Sequence, residues 1–241
     1  GVLTVPTVGA KRHAEKVAEW GASAVIAQGH EGGGHTGAVP TSLLLPQVVD
    51  AVDIPVIGAG GFFDGRGLVA ALAYGAAGIA MGTRFLLTQE STVPDAVKAV
   101  YLKTPVTGTV VTKSIDGVPQ RVIRTELVES LEKSSRPRAL LGALRHAYAF
   151  RKLTGASPFA LLREGLAMKK GQDLSWSQLA MAANAPMLTR LSLVEGLPDV
   201  GVLPTGQNVG VIEELPTVAA LIERIMNEAH EALSRLGETS P

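Results

Sequence analysis

The chain has 241 residues, enough for one large or two small domains, and its 46% hydrophobic content supports a sizeable buried core. Lys plus Arg and Asp plus Glu are equal at 22 each, so the basic signature of a nucleic-acid or membrane-surface binder is missing. There is no cysteine, which excludes disulfides, thiolate nucleophiles and Cys-ligated metals. No apolar run is long enough to span a bilayer and no charged-then-apolar segment opens the sequence, so a cytoplasmic protein is expected.

Residues 2–8, VLTVPTV, read as a buried strand: apolar, rich in β-branched residues and uncharged. AKRHAEKVAEWG follows as a helix stopped by Gly21, and ASAVIAQG is the next strand. The glycine-rich stretch GHEGGGHTG, residues 29–37, leads into a helix, TSLLLPQVVDAV, with Pro46 expected near its first turn. IPVIGAGG at 54–61 is a third strand, DGRGLVAALAYG a helix closed by Gly75, and AAGIAMGTRF a fourth strand. Near-continuous apolar strands alternating with helices imply a parallel sheet. After about residue 90 strand signals become rare. DAVKAVYLK, TELVESLEK, PRALLGALRHAYAFRKL and PFALLREGLAMKK read as helices, and TVVTKSIDGVPQRVI as a hairpin turning at Asp116–Gly117. SWSQLAMAANAPML is a helix ending near Pro186, and TVAALIERIMNEAHEALSRL a terminal amphipathic helix.

Three glycine-rich turns each follow a strand, beginning at Gly29, Gly58 and Met81. Strand ends of a parallel sheet share one face, where ligands bind. Glycines let backbone N–H groups approach an anion closely. Gly60–Gly61 and Gly82–Thr83 therefore form a candidate phosphate cradle, against the plain alternative that such loops need glycine only to turn tightly. GAGGFFDGRG lacks the spacing and the later acid of a dinucleotide fingerprint, so a lone phosphate fits better than a pyrophosphate.

His30 and His35 flank the run of glycines. With Glu31 as the one nearby carboxylate they make a poor ligand set, and no metal is expected. His35 follows three glycines and can be projected into a pocket, where a neutral imidazole abstracts a proton or steadies an oxyanion; the alternative is a histidine that only holds the loop. His30 is read as structural, and His13, His146 and His230 as helix residues. Residues 121–170 hold eleven Lys or Arg against four Glu, a net of +7 in a neutral chain. This segment includes Arg136, Arg138, Arg145 and Arg151. It is either a solvated face or an electropositive patch for a polyanionic small molecule such as a coenzyme A thioester. Nucleic acid is disfavoured because aromatics are only 4% and are not interleaved with the bases.

AVIAQGHEGGGHTG, IPVIGAGGFFDGRG, GIAMGTRFL and the late GVLPTGQNVG, in this order and across essentially the whole chain, resemble the nitronate monooxygenase family, which includes flavin-dependent enoyl-ACP reductases. The resemblance implies an α/β fold of TIM-barrel type, (β/α)8, of which this chain carries the C-terminal half plus a helical lid region. Four further strands are expected ahead of Gly1. On this reading residues 1–90 are the second half of an FMN-binding β/α barrel. Residues 91–200 are a mostly helical lid or substrate region, and 201–241 a return segment and helix packing on the barrel. The family's FMN-phosphate contacts fall on Gly60, Gly61, Gly82 and Thr83, Gly33 and Gly34 lie beside the flavin, and Met81 and Gln28 are further cofactor-binding candidates. His35 matches the histidine that acts as base in nitronate oxidation, and Gln28 stands where relatives often carry an acid.

GGFFDGRGL, AMGTRFLLT, STVPDAVK, DGVPQRVIRTELVE and WSQLAMAANAPML are similar to a narrower group, the flavin-dependent reductases of actinobacterial steroid C/D-ring degradation. That similarity implies a hydroxylated indanone-propanoyl-CoA-type thioester as substrate, with Arg136, Arg138, Arg145 and Arg151 as candidate contacts. The resulting expectation is an FMN-dependent oxidoreductase with a small-molecule substrate, NAD(P)H as a candidate co-substrate, a candidate homo-oligomer, and neither nucleic-acid nor membrane partners. Oxidation of alkyl nitronates with oxygen, a flavin-free phosphate-binding barrel and a non-catalytic half-barrel stay open as alternatives.

Overall fold

The computed structural model describes residues 1–133 and 184–238. Its parallel sheet has four strands, β1 (Thr7–Val8), β2 (Val25–Gln28), β4 (Val56–Ala59) and β5 (Gly78–Ala80), in the order β1-β2-β4-β5. Between them run α1 (Lys11–Glu19), α2 (Thr41–Val49) and α3 (Gly65–Ala73). Strand residues alternate in facing. Val25 and Ala27 of β2 enter a core with Leu44, Leu45 and Val48 of α2, while Ile26 and Gln28 line a cavity on the other face.

A second, antiparallel sheet has the order β3-β7-β6. It is built from β3 (Gly34–His35), β6 (Thr109–Thr112) and β7 (Gln120–Ile123). The glycine loop thus donates its own short strand to the hairpin, with Gly34 opposite Arg121 and His35 opposite Gln120. The hairpin turns at Asp116–Gly117 as expected, and Gly117 has φ 89°, the left-handed conformation that a turn glycine supplies. The remaining helices are α4 (Gly82–Leu86), α5 (Asp95–Leu102), α6 (Glu126–Lys133), α7 (Asn184–Leu193) and α8 (Val218–Glu238). α8 lies against α3, where a Cβ on Gly65 would run into the backbone of Ile225 and Ala229.

Four local expectations are corrected. The first strand covers only Thr7–Val8, because it lies at the sheet edge with β2 as its one pairing partner, and Val2 and Leu3 are 92% and 80% exposed. The fourth strand stops at Ala80, and the chain coils at once into α4, which buries Thr83 and Arg84. Pro46 sits inside α2 rather than in its first turn; Ser42, whose carbonyl a proline cannot bond, is on the exposed side. Pro186 does not end its helix, which continues to Leu193, since a proline removes only its own N–H and downstream pairing survives. The helices expected over 137–153 and 158–170 lie outside the described residues.

Candidate functional site

A cavity of about 510 Å³ opens at the C-terminal ends of the parallel strands. That is within the usual size of small-molecule and cofactor sites, roughly 300–1,000 Å³. It gathers Gln28, Gly33 and Gly34 from the glycine loop, Gly60 and Gly61 after β4, and Met81, Gly82 and Thr83 after β5. All eight expected cofactor residues therefore share one wall system, together with apolar Ile26, Phe62 and Leu86. No charged side chain is among the described lining residues.

The helix ends around the cavity explain where an anion could sit. The first N–H groups of a helix lack internal partners. At α2 they are taken: Glu31 Oε2 accepts from the Thr41 N–H at 2.9 Å and lies 2.8 Å from its hydroxyl. At α3 they are also taken, Asp64 Oδ1 accepting from Gly67 N–H at 3.0 Å and Glu228 Oε2 from Gly65 N–H at 2.8 Å. Among the described residues no carboxylate accepts from the N–H groups of Gly82 and Thr83, which open α4. Gly60 and Gly61 have φ 93° and 83°, so the turn after β4 needs glycine for its backbone shape. The backbone at these two strand ends thus lines the cavity without the capping carboxylates found at the ends of α2 and α3.

Part of the loop's bare backbone serves the protein itself. A Cβ on Gly33 would strike the backbone of Thr205 and Gly206. That return segment is pinned by Thr83, whose Oγ1 accepts from Gly206 N–H at 2.8 Å and lies 3.3 Å from Thr205 Oγ1. The Thr83 hydroxyl is thus committed to the return segment. Asn208 donates to Phe62 O at 2.8 Å, and the Tyr101 hydroxyl to Pro204 O at 2.9 Å, so both sides of the return segment are tied down. Burial pushes the Tyr101 phenol well above its ordinary pKa, keeping it a neutral donor. Gln28 donates to His35 O at 2.7 Å, which bonds its amide to the loop backbone.

His30 behaves as structural, with Nδ1 2.9 Å from Gly37 O. His35 follows the three lining glycines directly but is not itself among the lining residues. Its Nε2 lies 2.6 Å from Asp116 Oδ2. Arg121, only 5% exposed, donates from Nε and Nη2 to His30 O at 3.3 and 3.2 Å and from Nη1 to Thr109 Oγ1 at 2.9 Å. Burial lowers its pKa, and Glu31 opposes that shift. Asp116, Arg121, Thr205 and Asn208 went unassigned in the sequence. Asp116 carried only a turn signal, and nothing in the local pattern distinguishes Arg121 from a solvated base. Arg136, Arg138, Arg145 and Arg151 lie outside the described residues.

Residues 1–228 match the family described as nitronate monooxygenase. The chain belongs to the nitronate monooxygenase family. Its four parallel strands and the helices between them are of the TIM-barrel (β/α)8 type. Two relatives, from Rhodococcus jostii (strain RHA1) and Mycobacterium tuberculosis (strain ATCC 25618 / H37Rv), are each 57% identical, over 98% and 95% of this chain and 67% and 65% of their own lengths. Both bear the name (3aS,4S,5R,7aS)-5-hydroxy-7a-methyl-1-oxo-octahydro-1H-indene-4-carboxyl-CoA dehydrogenase. FabK from Thermotoga maritima is similar in structure, with TM-score 0.74 and 32% identity over 100% of this chain and 65% of that one. This nitronate monooxygenase family member thus spans about two thirds of the length of the relatives it matches. Among its described residues no helix is long and apolar enough to cross a membrane.

Proposed function

We propose that this chain forms part of an FMN-dependent oxidoreductase that oxidises a hydroxylated indene-carboxyl-CoA thioester. The observation that carries the cofactor reading is the glycine cradle. Gly60–Gly61 and the first residues of α4 line one cavity, while both neighbouring helix ends are filled by internal carboxylates. Gly60, Gly61, Gly82 and Thr83 would hold the phosphate through backbone N–H groups. Met81, Phe62, Ile26 and the glycine face at Gly33–Gly34 would bound the flat ring. FMN, when bound, supplies a two-electron acceptor for a hydride. His35 takes the proton of the substrate hydroxyl, and the loop–hairpin sheet holds the base in place.

The thioester is taken from the two relatives, whose name places the CoA on a ring carboxyl. The net +7 segment suits its polyphosphate tail. Charge reversal at Arg136, Arg138, Arg145 and Arg151 should weaken thioester affinity, and unchanged affinity would remove these residues from the proposal. A nicotinamide co-substrate belongs to the same reading only as the acceptor: in this direction it would enter as NAD(P)+ and leave as NAD(P)H, reoxidising the flavin. Self-association, a cytoplasmic setting and the boundaries near residues 90 and 200 complete the reading.

The test is turnover by the FMN-loaded protein with the 5-hydroxy thioester, set beside an alkyl nitronate in oxygen. Oxidation of the thioester hydroxyl to a ketone supports the reading. Oxygen consumption with the nitronate alone would turn it toward nitronate oxidation.

A further inference from the structure

His35 on β3 and Asp116 in the turn between β6 and β7 are 81 residues apart in sequence, yet their side chains meet at 2.6 Å. The two are buried very unequally: the Asp116 side chain is 6% exposed and that of His35 59%. A carboxylate withdrawn from water needs polar partners. Asp116 has one on each oxygen, with Oδ1 accepting from Val118 N–H at 3.0 Å in an Asx turn and Oδ2 facing His35 Nε2. The turn fixes the acid before the histidine is considered, because Gly117 N–H also donates to Lys113 O at 2.9 Å. The ring side is fixed as well. β3 pairs with β7, and Thr36 N–H donates to Pro119 O at 3.1 Å, so the loop carrying His35 is laid against the hairpin that carries Asp116.

We propose that Asp116 is the positioning residue of the site: its carboxylate holds the proton of His35 on Nε2, so that Nδ1 carries the lone pair that accepts the substrate proton. The inference rests on the reading of His35 as the base. An anionic carboxylate only accepts, so the nitrogen facing it must donate, and in a neutral imidazole the other nitrogen is then the acceptor. Among the described residues no hydrogen bond uses Nδ1 of His35. In the proton-transfer step the substrate O–H bond breaks, an N–H bond forms at Nδ1, and the resulting imidazolium keeps Nε2–H on Asp116. Its positive charge then lies against a buried negative one. The hairpin beyond the barrel half thereby decides which face of the histidine works.

The experiment is long-range ¹⁵N–¹H correlation spectroscopy of the holoenzyme's imidazoles, with His35 assigned by its loss in His35→Asn, on wild type and on Asp116→Ala, Asp116→Asn and Asp116→Glu. The expected result is an Nε2–H tautomer in wild type that becomes mixed in Asp116→Ala. Thioester turnover should fall on the order of 10- to 100-fold in kcat, with KM and flavin absorbance close to wild type. Asp116→Glu should recover much of the loss. Asp116→Asn, whose amide oxygen still accepts, should keep the tautomer but turn over more slowly than wild type, having lost the counter-charge. An Nδ1–H tautomer in wild type would overturn the proposal, as would unchanged turnover in Asp116→Ala. Loss of flavin in every variant, without rescue by glutamate, would reduce Asp116 to a clip that holds the hairpin. If His35→Asn turns over normally, the base reading fails by itself, while the spectra still report whether Asp116 sets the ring.

Discussion

The parallel sheet β1-β2-β4-β5 and the antiparallel sheet β3-β7-β6 meet at one loop, residues 29–37, but they are built by different rules. In the parallel sheet, pairing follows the order of the chain, each strand is short and mostly apolar, and the cavity at the strand ends is lined mostly by glycines and apolar side chains, with no charged side chain among the described lining residues. In the antiparallel sheet a strand from the glycine loop joins a hairpin more than 70 residues later, and the contacts that matter are made by charged or titratable side chains, Arg121 on His30 O and Asp116 on His35. The first arrangement suits holding a cofactor by shape. The second suits aiming one side chain. The loop belongs to both, which explains its composition: glycine where backbones cross at Gly33, and histidine where the hairpin can grip it.

If the sheets divide the work in this way, variants should separate chemistry from cofactor binding. The largest effect is expected for His35→Asn. Thioester turnover should fall by roughly 10²- to 10⁴-fold, the contribution of a positioned general base, while the flavin spectrum is retained; wild-type turnover in a steady-state assay would end its catalytic role. Gly60→Ala should do the reverse. Its Cβ would lie 3.0 Å from Gly32 N and 3.1 Å from Gly29 O at φ 93°, so the turn is strained. Backbone strain of about 1–3 kcal/mol should appear as weaker FMN binding in a fluorescence titration, with turnover per bound flavin little changed.

A smaller effect tests the join between the sheets. Arg121→Met removes hydrogen bonds from a buried guanidinium to His30 O and Thr109 Oγ1. Bonds to charged groups are worth about 1.5–3 kcal/mol, so the melting temperature should drop, and amide exchange should quicken in β3 and β7 more than in β2 and β4. Equal quickening in both sheets would mean that they are not separable units. The smallest effect concerns pH. Hydrogen bonding to Arg224 holds the Glu214 carboxyl below its ordinary pKa. A lowered folded-state value stabilises the protein above the unfolded value, and the contribution is lost as pH falls through the folded one. Glu214 is largely solvent-exposed, so screening keeps the term small. Glu214→Gln should match wild type in acid melts below that range and be slightly less stable at neutral pH.

Much of the parallel sheet was legible because a strand covered by helices has a local signature: apolar residues, a glycine turn, then a helical period. The same logic failed at β1. Val2, Leu3 and Val5 look like core residues but run beyond the paired edge, and the local pattern does not reveal whether a neighbour is present. The hairpin was legible through Asp116–Gly117, yet the turn signal concealed the role of the aspartate. Periodicity reports which face of an element is buried and is silent on which distant residues meet. His35 finds Asp116 over 81 residues, and Thr83 finds Gly206 over 123. Glu31 was weighed as a metal ligand, and the structure uses it to cap α2.

The cavity at the strand ends is the proposed flavin site, with the phosphate on Gly60–Gly61 and Gly82–Thr83. The most direct measurement is the near-ultraviolet and visible absorbance of the purified protein before and after FMN is added, with free flavin removed. Oxidised-flavin bands that stay with wild type and are weakened by Gly60→Ala are the predicted result. Protein that takes up no flavin, even with FMN in excess, would contradict the account.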